Sequence, residues 1–312
     1  MIGNAASAVQ FIPEIAKETE QLYIFQRSAN WMLPKQDRAY KEWEKKLVAT
    51  FPFLLRAYRL KIWLLGGAFF FLMKKGHEGI RKSYQKKSIT FIKEYIKDDK
   101  KIKALIPKFP LGAKRVLFSD TYYPALAREN VHLITDPIQS ITSNGVLTSE
   151  NSIDNLNALI YATGFKTNPF LWNMDIKGKD GKNLKEHWNA GPKNYLGIAV
   201  DQFPNLFLMY GPNTNLGHNS IILMSEAQAK FISTCIHTMQ SKNWKSIDIK
   251  KETIDNYHQS TQDRLNEMIW ASVDNSWYKS DNGNIPNNYP GRTMEYIRVT
   301  KKVNFDHFDI VA

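Results

Sequence analysis

The chain has 312 residues, 43% of them hydrophobic, with 17 Phe, 14 Tyr and 8 Trp, which is enough apolar material for one large core or two domains, so disorder is not the default reading. Its formal charge of +12, from 42 Lys and Arg against 30 Asp and Glu, favours anionic partners: nucleic acid, lipid headgroups or phosphorylated cofactors. The single cysteine, Cys235, excludes an intrachain disulfide and any zinc site built on paired cysteines. No secretory signal opens the sequence, so a cytoplasmic compartment is expected.

Met1 and Ile2 run directly into GNAASA, residues 3–8, after which Val9, Ile12, Ile15 and Ala16 have helical spacing. Residues 22–26 read as a short buried strand. Glycine turn, helix and strand make a mononucleotide-binding unit whose first strand is truncated. The small residues Gly3, Ala5 and Ala8, with Ser7 in the same turn, would let a pyrophosphate approach the helix N-terminus, where free N–H groups and the helix dipole meet its charge. Arg27 stands 24 residues after Gly3, at the end of the second strand. An NAD-binding fold places an acid near that point, whereas an arginine suits the 2′-phosphate of NADP. A helix capped by Asn4 or Ser7, with Arg27 merely on the surface, explains the same residues equally well.

From about residue 37 to 106 the pattern is helical, basic and aromatic, as in an inserted helical subdomain. Most of the lysines between 74 and 103 read as a solvated helical face. Within the insertion IWLLGGAFFFLM, residues 62–73, is too short to span a bilayer, and basic residues close both of its ends. Packing against the protein is the first expectation for it, and peripheral contact with a membrane surface the second.

Strands are expected at 115–118, 131–135 and 158–162, the last ending in Thr163 and Gly164. Residues 138–142 should pair with 146–149 across Asn144-Gly145, a strong hairpin signal. Another strand is expected at 206–210, followed by the loop GPNTNLGHNS, a long helix to about Gln240 that buries Cys235, a helix over about 251–270, and a polar segment ending near Val303. The sequence carries no Gly-x-Ser-x-Gly elbow, no metal-ligand spacing and no nucleic-acid-binding motif, so neither a metal nor a nucleic acid is expected.

The run ASAVQFIPEIAKETEQLYIFQRSANWMLP resembles the NADP domain of Baeyer–Villiger and related class B flavin-dependent monooxygenases. GAKRVLFSDTYYPAL (112–126), ENVHLI, the Asn-Gly hairpin, IYATGF (160–165), FPNLFLMYGPNTNLGHNSI, NSWYKS and YPGRTMEY match the same family in the same order. The resemblance covers nearly the whole chain. It implies an α/β fold of the two-dinucleotide-binding-domain flavoprotein type. The NADP-binding domain would occupy 1–165, with the helical insertion and a truncated first strand, and the C-terminal part of the FAD-binding domain 166–312.

The implied reaction is NADPH- and O2-dependent insertion of oxygen into a small-molecule ketone, giving an ester or lactone, with FAD and NADPH as cofactors. Related flavin-containing monooxygenases oxygenate nitrogen or sulfur instead, and a non-catalytic remnant or binding module is a third reading. Carried over by position, the resemblance gives Arg27, Ser28 and Lys114 to the NADP 2′-phosphate. It gives catalysis to Arg115, as the cation that stabilises the anionic oxygen species attacking the carbonyl. Without the resemblance, Lys114 and Arg115 read as a solvated turn after Gly112. Thr163 and Gly164 match the hinge beside the flavin, Asn213, Asn215 and Leu216 its neighbours, and Trp277 a residue touching the nicotinamide cofactor. His218, with no carboxylate nearby in sequence, is expected to be structural. The family's Gly-rich FAD fingerprint and its Phe-Gly-His-Trp fingerprint have no counterpart here. The sequence therefore reads as a C-terminal portion whose N-terminal FAD half is missing or comes from another chain, and which alone would bind cofactors poorly.

Overall fold

The computed structural model describes residues 1–165, 170–273, 278–280 and 282–312. In chain order the elements are α1 (Ala8–Glu18), β1 (Leu22–Phe25), β2 (Met32–Leu33), α2 (Glu42–Thr50), α3 (Pro52–Met73), α4 (Glu78–Tyr95), α5 (Asp99–Leu105), β3 (Leu117–Phe118), α6 (Tyr122–Leu126), β4 (Val131–Ile134), β5 (Ile138–Ile141), β6 (Val146–Thr148) and β7 (Ser152–Ile153). There follow α7 (Leu184–His187), α8 (Ile221–Ser241), β8 (Ser246–Ile249), α9 (Lys251–Asn266), α10 (Thr293–Val299) and β9 (Phe308–Val311). The chain divides into two compact units: Met1–Glu42 with Glu78–Phe165, and Trp43–His77 with the described part of 166–312. The helical insertion is thus split, α4 and α5 lying in the first unit and α3 in the second.

Two residues stand in for the central strand of the first unit. Phe25 N–H donates to the Met1 carbonyl at 2.8 Å and Gly3 N–H to the Phe25 carbonyl at 3.0 Å; on the other edge Ile2 N–H donates to Ile160 at 2.9 Å and Ala162 N–H to Ile2 at 2.8 Å. Beyond them β1 pairs in parallel with β4, Leu22 opposite Val131 and Phe25 opposite Ile134. The strand expected at 158–162 is accordingly reduced to a bridge between Tyr161 and Ile2, because its partner is only two residues long.

On α1 the buried residues Ala8, Val9, Ile12 and Ala16 recur with the helical period and share a core with Leu22 and Ile24 of β1, Tyr122 and Tyr123 of α6, and Phe91 and Ile92 of α4. The strand expected at 115–118 is only Leu117–Phe118, paired in parallel with β2. The hairpin is present, with Ile141 opposite Val146, but Asn144-Gly145 does not make a two-residue turn. Thr142 Oγ1 accepts from the N–H groups of Asn144 (3.3 Å) and Gly145 (2.9 Å), giving a longer loop. Gly145 is needed for another reason: a Cβ there would fall 2.0 Å from the Ile153 carbonyl on β7, a third strand of this sheet.

In the second unit α8 buries Met224, Gln228, Phe231 and Cys235, spaced by four, three and four residues along one face. Phe231 and Cys235 pack with Ile247 and Ile249 of β8, Ile254 of α9 and Phe308 of β9. Cys235 is fully buried, as its apolar context predicts, and burial pushes its thiol up to about 12. The strand expected at 206–210 is not formed. Asn205 and Tyr210 adopt positive φ of 59° and 55° at the two ends of that run, leaving only a bridge from Phe207 to Ala199. The helix expected to reach about 270 ends at Asn266 and gives way to a short 3-10 turn, Ile269–Ser272. Packing of α3 holds for its last turn, where Phe70, Leu72 and Met73 are buried, while most of its N-terminal part is exposed. Among the described residues no helix is long and apolar enough to cross a membrane.

Candidate functional site

At the C-terminal edge of the first unit's sheet the chain leaves Ile2 through Gly3, whose φ is +103°. A Cβ at this position would lie 2.3 Å from the Ala162 carbonyl and 3.5 Å from the Thr163 nitrogen, so only glycine allows the turn to pass so close to the neighbouring segment. Asn4 is buried, and its Nδ2 donates to Gln26 Oε1 at 2.6 Å and to the Ser28 carbonyl at 3.2 Å. Asn30 Nδ2 in turn donates to the Asn4 carbonyl at 3.2 Å. Asn4 therefore clamps the turn to the loop after β1 and does not cap α1.

Ser7, at the N-cap position, has helical φ and ψ and makes no side-chain capping bond. Neither candidate cap operates; Val9 N–H donates to the Ala5 carbonyl at 3.0 Å and Gln10 N–H to the Ser7 carbonyl at 3.1 Å, so only the N–H groups ahead of Val9, in the turn with exposed Ala5 and Ser7, are left to meet a ligand. Such an N-terminus stabilises an anion through its N–H groups and dipole.

Arg27 and Ser28 are exposed just past the end of β1. Lys114 reaches the same neighbourhood from a segment 87 residues further along the chain. That segment is held against the 26–33 loop by Gln26 Nε2 donating to the Ala104 carbonyl at 2.9 Å, Trp31 Nε1 donating to the Phe109 carbonyl at 2.7 Å, and the pairing of β2 with β3. The Lys114 ammonium sits 4.8 Å above the Phe109 ring, and it is held below the usual lysine range by partial burial first and by the Arg27 cation second. Among the described residues neither Arg27 nor Lys114 has a carboxylate partner. Two cations drawn together without an acid form a site with a need for negative charge.

Arg115, Thr163 and Gly164 are exposed. Thr163 is brought to the turn through its backbone nitrogen beside Gly3, whereas the side chain of Arg115 makes no hydrogen bond or ion pair among the described residues, so only its position after Lys114 ties it to this corner.

The loop after residue 210 behaves differently. Asn213, at φ +57°, is buried, and its Nδ2 donates to the carbonyls of Ile285 (2.7 Å) and Asn288 (3.1 Å). Asn215 donates to Asn288 Oδ1 at 2.7 Å and accepts from the Tyr210 hydroxyl at 3.0 Å. Leu216 is buried with Met224, Tyr289 and Tyr296. All three side chains, expected beside a flavin, are thus committed to packing the loop against residues 285–289, and only the loop's backbone is left to approach a ligand. Unmet polar atoms remain nearby: Asn288 Nδ2, Thr293 Oγ1, Trp270 Nε1 and both ring nitrogens of His218 are buried without a partner among the described residues. Burial, and then the charge of Arg292, lowers His218 to about 4, so it stays neutral at physiological pH, as a structural residue would. Trp277 lies outside the described residues.

Two cavities of the second unit, of about 610 and 470 Å³, are lined by other residues, among them Phe207 and Trp244 in one and Arg264 and Arg292 in the other. Among the described residues no cluster of His, Cys, Asp and Glu could hold a metal ion. Sequence reading missed Asn4 as a clamp and Phe109 as the platform under Lys114, because their partners are remote in the chain. Only the polar character of Asn4 at a turn offered a signal.

No family model matches the chain. Curated relatives match it from end to end. An FAD-binding monooxygenase, ktnD, of Aspergillus niger is 34% identical over 99% of this chain and 52% of its own length. A Baeyer–Villiger monooxygenase of Pseudomonas aeruginosa is 33% identical over 100% of this chain and 59% of its own length. Among solved structures, OTEMO in complex with FAD and NADP superimposes with a TM-score of 0.83 at 26% identity, covering 99% of this chain and 66% of that one. The chain therefore spans between about half and two thirds of the length of these relatives. The resemblance to Baeyer–Villiger monooxygenases and the α/β flavoprotein fold read from the sequence are borne out.

Proposed function

We propose that this relative of the Baeyer–Villiger monooxygenases forms the NADPH-binding and C-terminal part of an FAD- and NADPH-dependent enzyme that inserts one oxygen atom of O2 into a ketone, giving an ester or lactone. In this reading residues 1–165 are the NADP-binding domain and 166–312 the C-terminal part of the FAD-binding domain. The observation that carries it is the pair Arg27 and Lys114, near enough for one cation to act on the other and with no carboxylate partner among the described residues, at the loop that Asn4 ties to the turn before α1, at the C-terminal edge of a parallel sheet. Ligands of open α/β sheets bind at that edge.

FAD and NADPH, when bound, supply the oxygen activation and the hydride. The chain's own residues do the rest. The Gly3–Ala8 turn receives the pyrophosphate on the α1 N-terminus. Arg27, Lys114 and the Ser28 hydroxyl hold the 2′-phosphate, Arg27 with a planar fork of donors suited to it. Arg115, whose guanidinium makes no hydrogen bond or ion pair among the described residues, stabilises negative charge where it develops on the substrate side. The loop at 211–217 presents backbone groups to the flavin.

The test is an assay of the purified protein for FAD content, NADPH oxidation and conversion of a cyclic ketone to a lactone. Arg115→Ala should retain NADPH binding while lactone formation falls by roughly a hundredfold or more, the range for loss of one stabiliser of developing charge. Lactone formed at near wild-type rate by Arg115→Ala would remove the catalytic assignment. Oxygenation of amines or sulfides with no reaction at ketones would replace the ketone reading.

A further inference from the structure

A positively charged, apolar helical stretch in the second unit is largely exposed. Between Lys45 and His77 the sequence holds seven Lys or Arg and no Asp or Glu. Lys74 and Lys75, at the C-terminal end, contact Glu267 and the Asn266 carbonyl, and there Phe70, Leu72 and Met73 are buried. Asn219 Nδ2 donates to the Trp63 carbonyl at 3.2 Å and holds the middle of α3.

N-terminal to that point the helix is bare. Phe51, Leu55, Tyr58, Ile62 and Leu65 are 47%, 48%, 46%, 52% and 57% exposed. Their spacing of four, three, four and three residues places them in one stripe along the helix, while Phe53, Leu60 and Leu64, exposed as well, lie on the opposite side. At about 100° per residue, Arg59 and Lys61 flank that stripe on its two sides, each about 80° from its centre. Trp43 and Leu47 of α2 are exposed as well.

We propose that the N-terminal part of α3, with α2, is a membrane-docking element that lies in the plane of an anionic bilayer surface. The apolar stripe enters the acyl boundary while Arg56, Arg59 and Lys61 meet lipid phosphates. The residues from Pro52 to Leu65 make a helix roughly 21 Å long, too short for a hydrocarbon core of about 30 Å, so the element lies on the surface and does not span. Charge selects this occupant over a second copy of the chain. Two copies meeting through residues 52–65 of α3 would bring together two stretches that each hold Arg56, Arg59 and Lys61 and no acid, whereas an anionic surface complements them. Tyr58 and Trp43 are side chains that favour the headgroup level.

Flotation of the purified protein with vesicles of phosphatidylcholine mixed with phosphatidylglycerol, and of phosphatidylcholine alone, tests this. Binding should be strong to the mixed vesicles, weak to the neutral ones, and reduced by salt. The triple variant Arg56→Gln, Arg59→Gln, Lys61→Gln should bind the mixed vesicles roughly a hundredfold more weakly. A triple variant Leu55→Gln, Ile62→Gln, Leu65→Gln should lose binding to both, with an unchanged unfolding transition because these side chains are exposed. No binding to the mixed vesicles, or equal binding by wild type and both variants, would overturn the proposal. So would a wild-type dimer by sedimentation equilibrium that the Leu55, Ile62, Leu65 variant turns into a monomer, since the stripe would then join two copies.

Discussion

The turn at Gly3–Ala8 and the loop at 211–220 look alike in sequence. Each is rich in small and amide side chains, each leads into a long helix, and each invites the reading of a backbone that approaches a nucleotide. The structure separates them by what their polar groups do. In the first, one side chain, Asn4, is tied down, while the helix has no side-chain cap and Arg27 and Lys114 lie near each other with no carboxylate partner among the described residues. In the second, Asn213 and Asn215 are satisfied by Ile285, Asn288 and Tyr210, and Leu216 is in the core. Open valences mark a place made for a ligand. Closed ones, as at Asn213 and Asn215, serve the fold, although both ring nitrogens of His218 in the same loop stay unmet among the described residues.

Substitutions should divide along the same line. Asn213→Ala should have the largest effect on stability. It removes two buried hydrogen bonds, leaves the Ile285 carbonyl with only the 3.4 Å bond from Gln262 Nε2, and puts alanine at a positive φ, at a cost of about 3 kcal/mol. Thermal unfolding would measure it, and a variant as stable as wild type would break the contrast.

Next in size is a pH effect centred on His218 in the same region. Its pKa is about 4 when folded, against the ordinary 6.5 of an unfolded histidine, so the unfolded chain binds the proton more tightly. The contribution is fully present above pH 6.5 and is lost as the pH falls toward 4, by up to about 3 kcal/mol. His218→Phe should flatten the fall of unfolding temperature over that window. An unchanged slope would place the titration elsewhere.

Smallest should be the response of stability to Arg27→Ala. Removing an exposed side chain that has no partner among the described residues, and that lies near the Lys114 cation, should leave stability within about 0.5 kcal/mol of wild type. A loss of several times that would mean that Arg27 holds the fold, as Asn213 does.

The first unit was legible wherever its signals were local. The period of Val9 and Ile12 gave α1, Asn144-Gly145 gave the hairpin, and Arg27 after a strand gave the phosphate expectation. Asn4–Gln26 and Trp31–Phe109 join residues 22 and 78 apart, and no local pattern announces such partners. In the second unit residues 206–210 are apolar enough for a strand, yet their ends turn through positive φ, which composition does not reveal. Strand β9 was missed because only Phe308 of its four residues is buried, so it lacks the continuous apolar run that marks an interior strand. On α3 the apolar character was plain, but which turns of it would be covered depends on tertiary contacts alone.

Cofactor selectivity tests the account most directly. Dissociation constants for NADPH and NADH should be measured on the wild type, Arg27→Ala and Lys114→Ala. If the two cations hold the 2′-phosphate, each substitution should weaken NADPH by about ten- to a hundredfold, as loss of a charge-assisted contact does, and leave NADH within roughly threefold. Equal losses for both cofactors, or no loss for NADPH, would contradict it.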